Sequence, residues 1–351
     1  VRSSAASDVY KRQGINNPSM LLVITKISGR QSITLVCDRP NDIDKIWHGQ
    51  LPSKAFYKNE FEIQNVLYSD ELNSLELNDA KNMYLEFADE NRLNQFIENL
   101  NLSEPQSRYL RNNTSRSTKI DLSNILYDMR RIKSKSEVSL IRHAAKISAN
   151  AHINIMKSCK SGLKEYEIEA DFIKHCMSER CEQAYPAIVA SGKNACVLHY
   201  TKNNAILRSN SLLLVDAAAE YDNYASDITR TIPVSGKFNE FQKKIYEIVL
   251  KAQTMAIKAC RPDKTLIDIH NVAVKHITKG LIEAKILSGK LERNIEEEKY
   301  KKYYMHNTGH WLGLDVHDPS AYSVNGKLIK LKPGMIFTVE PGIYINKEPG
   351  I

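Results

Sequence analysis

The sequence predicts an α+β protein in two parts: a smaller α/β domain over residues 14–125 and a larger α+β domain over 130–351. Three observations predict it. At 351 residues the chain is long enough to bury two hydrophobic cores. Its first third alternates short β-rich runs with a helical pattern. Near residue 130 the texture changes to long amphipathic helices flanking β-rich, antiparallel-looking segments, the pattern of helices packed on a sheet.

The elements follow in order. "VRSSAASDVYKRQ" at 1–13 has no periodicity that helps a fold and reads as a non-native linker or scar, so it stands outside the fold expectations. "SMLLVITK" and "QSITLVCD" are β-rich runs separated by "ISGR", which suits a hairpin. "KNMYLEF" is a further strand and "NRLNQFIENLN" a helix. In the larger domain Ser134 and Glu137 form an S-x-x-E capping box. Behind it Val138, Ile141, Ala145, Ala149, His152 and Met156 recur at steps of three and four, which predicts one buried helix face. Gly162 stops that helix, and a second begins near Leu163 with Tyr166, Ala170, Ile173 and Met177 expected inward. "YPAIVASG", "SLLLVDAAAEY" and "ASDITRTIPV" read as strands, 238–260 and 264–287 as helices, and "GMIFTVEPG" and "IYI" as the last strands.

Composition narrows the function. With 42% hydrophobic and 26% charged residues the profile is globular. No apolar run approaches the roughly 20 residues that span a bilayer, and no signal-peptide pattern opens the chain, so the expected compartment is the cytoplasm without membrane partners. The six cysteines make no CxxC pair and read as free thiols, mostly buried. The net charge of +8 is spread along the chain; its densest cluster, "RRIKSK" at 130–135, is expected on a solvated helix approach rather than on nucleic acid.

Chemistry concentrates in "MHNTGHWLGLDVHD" at 305–318, where His306, His310 and His317 fall among glycines and one of only two tryptophans. Carboxylates stand at matching places. Asp216 ends the apolar run "SLLLV", and Asp227 follows after "AAAEYDNYAS", a hairpin able to bring the two together. Glu340 interrupts the apolar "MIFTVEPG". Burying an ionised carboxylate is costly unless it is paired or bound to a cation. Asp216, Asp227, Glu340 and His310 together offer hard oxygens and one imidazole, a donor set for Mn²⁺, Co²⁺, Zn²⁺ or Fe²⁺. Several carboxylates suit two ions about 3.5–4 Å apart.

"LLLVDAAAEYDNYASDITRTIPVSGKF", "HNTGHWLGLDVHD" and "PGMIFTVEPGIYI" resemble the metal-binding blocks of the pita-bread (creatinase/aminopeptidase fold) metallopeptidases, and within them the aminopeptidase P, or Xaa-Pro aminopeptidase, family. The resemblance extends through "YPAIVASGKNACVLHYT" and the preceding small domain, over about residues 14–351. It implies two divalent ions, Mn²⁺ by expectation. Asp216 would chelate one and Asp227 bridge both, while His310 and Glu340 would hold the other, with Glu340 also acting as base or proton shuttle. A hydroxide shared by the ions would attack the bond before proline in peptides with proline second. His199, His306 and His317 would orient substrate and stabilise the oxyanion. Trp47, in "IWHG", would cover the site from a neighbouring subunit of a dimer or tetramer, or else lie in a core.

One departure from the family pattern stands out. The family places a second bridging glutamate in a later G-I-R-I-E-like run, and this chain ends at Pro349-Gly350-Ile351. Both domains are therefore expected to be incomplete, the small one at its start and the large one at its end, and the chain as given inactive. Two further functions fit less well: a prolidase restricted to Xaa-Pro dipeptides, which shares the chemistry, and a non-catalytic pita-bread binding module, which would lack metal ligands.

Overall fold

The computed structural model describes residues 20–40, 42–49, 52–61, 63–75, 82–85 and 118–346. The segment 1–13, the helix expected over 91–101 and the last five residues lie outside them. The chain divides into two compact units, Val1–Tyr127 and Asp128–Ile351.

In the first unit β1 (Leu21–Ile27) and β2 (Arg30–Cys37) form the expected antiparallel hairpin, with Ile27 opposite Arg30. Ser28 and Gly29 turn it with φ of 49° and 80°. Two left-handed residues make the tight turn whose twist matches that of the strands. Helices α1 (Asp42–His48) and α2 (Lys54–Glu60) follow, and β3 (Asn65–Tyr68) adds parallel to β2. The core holds Met20, Leu35, Tyr57, Ile63 and Val66. β4 (Asn82–Leu85) pairs in parallel with β5 (Thr118–Asp121), and α3 (Ser123–Arg131) leads out. Trp47, on α1, is 76% exposed, which overturns its reading as a core residue.

The second unit opens with α4 (Lys135–Ser158). The capping box is formed: Glu137 N donates to Ser134 Oγ at 3.3 Å, and Ser134 N donates to a Glu137 carboxylate oxygen at 2.8 Å. The buried face differs from the predicted stripe. It comprises Ile141, Ala144, Ile147, Ser148, Ala151, His152 and Ile155, and Met156 is exposed. The helix is apolar on two adjoining faces, and α5 (Glu165–Ser178) and the sheet beyond cover the one centred on Ile147 and Ile155. The reading of α5 is corrected more fully. Tyr166 and Met177 are exposed, and the buried positions are Glu165, Ile168, Phe172 and Cys176. Both sets fit a helical repeat, so periodicity could not choose. Packing chose, because Phe172 fills the core beside His152, ring centroids 5.6 Å apart.

β6 (Glu182–Gln183) and β7 (Ile188–Ser191) come next. β8 (Leu212–Asp216) lies between β7 and β11 (Thr229–Pro233) in an antiparallel sheet. Between β8 and β11, β9 (Ala219–Tyr221) and β10 (Tyr224–Ala225) make the expected hairpin. Asp222 and Asn223 turn it at φ 49° and 64°. α6 (Glu240–Ala259) packs on α7 (Leu266–Glu283), followed by α8 (Leu291–Glu296). Their core includes Ile245, Ile277, Leu281, Tyr304 and Trp311. A two-rung ribbon, β12 (Ser323–Val324) with β13 (Lys327–Leu328), closes the set.

"GMIFTVEPG" and "IYI" are not regular strands. The first runs extended against 308–312: Leu312 N donates to Ile336 O (3.1 Å), Thr338 N to His310 O (2.9 Å) and Glu340 N to Thr308 O (2.7 Å). The rung that would complete a ladder is made by a side chain instead, because His310 N donates to Thr338 Oγ1 at 3.0 Å. All six cysteines are free, with Cys37, Cys176 and Cys181 buried and the others partly so. Among the described residues no helix is long and apolar enough to cross a membrane.

The corrected face of α5 is testable by urea denaturation. Phe172→Ala should cost about 3–5 kcal/mol by emptying the core, and Met177→Lys should stay within about 0.5 kcal/mol. Comparable losses from the two would restore the predicted face.

Candidate metal centre

The site is built from three stretches of backbone. Asp216 is the last residue of β8, paired with Thr229 across the sheet, and Asp227 lies two residues before that partner. The 219–225 hairpin thus returns the chain so that both acids emerge at one end of the sheet. His310 and Glu340 come from the two extended segments that run alongside one another. Gly309 permits their approach, since a Cβ there would lie 1.9 Å from the Thr338 carbonyl oxygen.

His310 Nε2 lies 3.1 Å from Asp227 Oδ2 and 3.2 Å from Glu340 Oε1. One ligand atom from each of Asp227, His310 and Glu340 falls within 4.8 Å of the others, a group able to hold a cation. Asp216 joins through a side chain that sequence reasoning missed. The Tyr185 hydroxyl lies 2.5 Å from Asp216 Oδ1 and 3.0 Å from Asp227 Oδ1. The only sequence signal for Tyr185 was its place at the head of "YPAIVASG". Thr338 was also missed; its hydroxyl donates to Glu340 Oε1 at 2.6 Å.

The crowding of these acids shows in how the groups titrate. Burial raises the Asp216 carboxyl to about 6; the Tyr185 hydrogen bond opposes the rise and the charge of Asp227 adds to it. Burial, then the charges of Asp216 and Asp227, hold the Tyr185 hydroxyl well above its usual range. For His310 burial favours the neutral ring, yet hydrogen bonds to Asp227 and Glu340 outweigh it and lift the imidazole to about 10. The position between the two carboxylates and Nε2 suits a metal ion. The donor set passes that test on its own geometry. His310 Nδ1 lies 3.0 Å from the Trp311 carbonyl, an acceptor that fixes the proton there and turns Nε2 toward the carboxylates, as metal-binding histidines do.

The remaining predicted residues surround this group. The His317 ring lies edge-on to His310, centroids 4.2 Å apart. Burial, then His310, depress the His317 pKa, and the charge of His199 adds a small part, so His199 is within electrostatic reach. His199 itself is an exposed turn residue after "GKNAC". His306 Nε2 meets the Tyr344 hydroxyl at 3.0 Å, and its ring stands edge-on to Tyr304. Burial, then the charge of Glu340, raise the Tyr344 hydroxyl. Trp311 is buried, and its indole N–H donates to Ala321 O at 3.2 Å. Buried and bonded there, it pins the segment that carries His310. Trp47 belongs to the other compact unit, as an exposed residue.

The basic cluster at 130–135 corrects the expectation of a solvated face. Arg130 and Lys133 are buried against Asp318, one residue beyond His317. Arg130 Nε and Nη2 reach Asp318 Oδ1 at 3.0 and 2.5 Å, Lys133 Nζ reaches Oδ2 at 2.9 Å, and Arg130 also pairs with Asp315. Two cations and two carboxylates thus hold both sides of His317.

Comparison with known proteins gives the family. The model of metallopeptidase family M24 matches residues 139–351, and that of the aminopeptidase P N-terminal domain matches residues 5–84. The chain belongs to metallopeptidase family M24 and is a metal-dependent peptidase by that membership, with the pita-bread fold and an aminopeptidase P-type N-terminal domain. The family implies divalent metal ions. More particularly, the chain is 34% identical over 340 residues to the Xaa-Pro aminopeptidase of Escherichia coli, covering 95% of this chain and 76% of that protein. It is 43% identical over 223 residues to the Xaa-Pro aminopeptidase of Haemophilus influenzae, covering 63% of this chain and 51% of that one. Among solved structures, proline aminopeptidase P II from Yersinia pestis superposes with a TM-score of 0.91 at 33% identity, over 97% of this chain and 79% of that one. Zinc-substituted E. coli aminopeptidase P in complex with product gives 0.91 at 32%, over 97% and 78%.

Metal binding should release protons. The raised His310 proton must leave for Nε2 to coordinate, and at pH 8 Asp216 is already ionised. Titrating metal-free protein with Mn²⁺ at pH 8, in buffers of different ionisation enthalpy, should show about one proton released per first ion bound. Affinity should rise with pH until His310 titrates near 10. Binding without proton release would mean that His310 is already neutral at pH 8; unchanged affinity in His310→Ala would remove it from the ligands.

Proposed function

We propose that this chain is an Xaa-Pro aminopeptidase, releasing the N-terminal residue of a peptide whose second residue is proline. The observation that carries the reading is the convergence of Asp227, His310 and Glu340, joined to Asp216 through Tyr185, in a chain that aligns along nearly all its length with an Xaa-Pro aminopeptidase. A prolidase reading has a relative too, the Xaa-Pro dipeptidase of Mus musculus at 32% identity over 325 residues. The higher identities to Xaa-Pro aminopeptidases favour the first.

In this reading Asp216, Asp227, His310 and Glu340 would hold the divalent ions, with Mn²⁺ the proposed metal. A bound ion acts as Lewis acid and lowers the pKa of water toward neutrality, so no serine or cysteine nucleophile is needed. The side chains do the rest. Glu340 has one oxygen engaged by Thr338 and turned to His310, and its partial exposure lets it take a proton from water and pass it to the leaving amine. His317, its pKa depressed by burial, is neutral at pH 7 and donates a hydrogen bond to the oxyanion from beside His310. His306, paired with Tyr344, and His199, on its exposed turn, are assigned to orienting the substrate. The working form is proposed to be a homo-oligomer that covers Ile43, Ile46 and Trp47 on α1, all highly exposed in the single chain. A monomer in sedimentation analysis would exclude this.

The test is an Mn²⁺-loaded assay with an Xaa-Pro-Yaa tripeptide beside an Xaa-Pro dipeptide. Turnover of the tripeptide is expected; cleavage of the dipeptide alone would make the protein a prolidase. His317→Ala should lower kcat about 100- to 1000-fold with metal content unchanged. Loss of metal in step with activity would make His317 a ligand.

A further inference from the structure

A second buried acid lies outside the metal-site group and serves the turn that carries His199. Glu165 opens α5 and is 0% exposed. Its Oε1 accepts from Ser191 N at 2.7 Å, Ser191 Oγ at 2.9 Å and Asn194 Nδ2 at 3.2 Å. Its Oε2 accepts from the Tyr200 hydroxyl at 2.8 Å and Ala205 N at 2.9 Å. A buried carboxylate is tolerated when donors meet its lone pairs, and here every donor belongs to one loop.

The donors sit at the loop's two feet. Ser191 and Asn194 hold the outgoing foot; Tyr200 and Ala205 hold the returning one. Asn203 adds a tie on the same side, donating to Glu169 Oε2 and Ala187 O, both at 2.9 Å, and accepting from Val189 N at 3.0 Å. Between the feet Val197, Leu198 and His199 stand exposed. Core packing does not place them, so the feet must. Tyr200, next to His199, is the connection: its ring packs with Ile188 and Ala190, and its hydroxyl also accepts from Asn194 Nδ2 at 2.9 Å.

We propose that Glu165 is a positioning residue that acts through Tyr200 to fix the loop presenting His199 to the substrate. This rests on the reading of His199 as a substrate-contacting group. A loop held at both feet keeps an exposed imidazole in one place, which its own contacts do not.

Tyr200→Phe keeps the ring packing and removes only the hydroxyl; Glu165→Gln keeps the shape but sets an amide N–H against Ala205 N. Tyr200→Phe should lower kcat/KM for an Xaa-Pro-Yaa tripeptide about tenfold, the scale of one hydrogen bond to a charged group, and Glu165→Gln at least as much. In a His199→Ala background each should change kcat/KM by less than about twofold, because the group being positioned is gone. Hydrogen exchange of residues 197–200 should accelerate in both variants, with β8 and β11 unchanged. An equal loss in both backgrounds would overturn the proposal, as would unchanged exchange at 197–200 or faster exchange throughout the unit. If the unaltered protein fails to cleave the tripeptide, the peptidase reading falls, and exchange alone decides the role of Glu165.

Discussion

Three carboxylates brought together in a half-buried place repel one another, and the centre of the second unit is arranged around that repulsion. Asp216, Asp227 and Glu340 come from different stretches of chain, and each charge weakens the case for the others in a medium less polar than water. Two hydrogen-bonding groups answer for it. One is the Tyr185 hydroxyl, within reach of both aspartates. The other is the His310 ring, whose Nε2 lies between Asp227 and Glu340. A divalent ion answers the same demand with more charge, so the cost of assembling the acids becomes affinity for metal.

The scaffold bears that cost with little regular structure near the acids. A tight hairpin with two left-handed residues returns Asp227 to Asp216. Glycine at 309 lets two backbones approach, and a threonine hydroxyl takes the place of one ladder rung. Trp311, Tyr304 and the buried ion cluster around Asp318 supply the rigidity that an unbroken strand would have given.

The convergence of Asp227, His310 and Glu340 was legible in the sequence because burying such residues has few inexpensive solutions, and motif spacing put them in one place. The hairpin between Asp216 and Asp227 was legible for the same reason. Tyr185 was not, since a tyrosine opening an apolar run is ordinary, and only the fold sets its hydroxyl between two aspartates. The inward face of α5 was misread because Tyr166, Ala170, Ile173 and Met177 share a helical repeat with Ile168, Phe172 and Cys176. Volume against the neighbouring sheet decided between them, and a single sequence does not show volume. Arg130 and Lys133 looked like a solvated run because their partner, Asp318, lies 188 positions away from Arg130.

That distance has a consequence for how such a unit can be inherited or transplanted. Asp318 carries its charge in the interior only because Arg130 and Lys133 stand opposite, and both precede the first long helix. A gene fusion or recombination joint placed at the start of α4 would preserve every residue of the metal centre and still strand a carboxylate without its counterions. The two sides of such a joint must therefore travel together or change together. The short stretch 130–133, although remote in sequence from the acids and histidines, belongs to the same heritable module as the loop that carries His317.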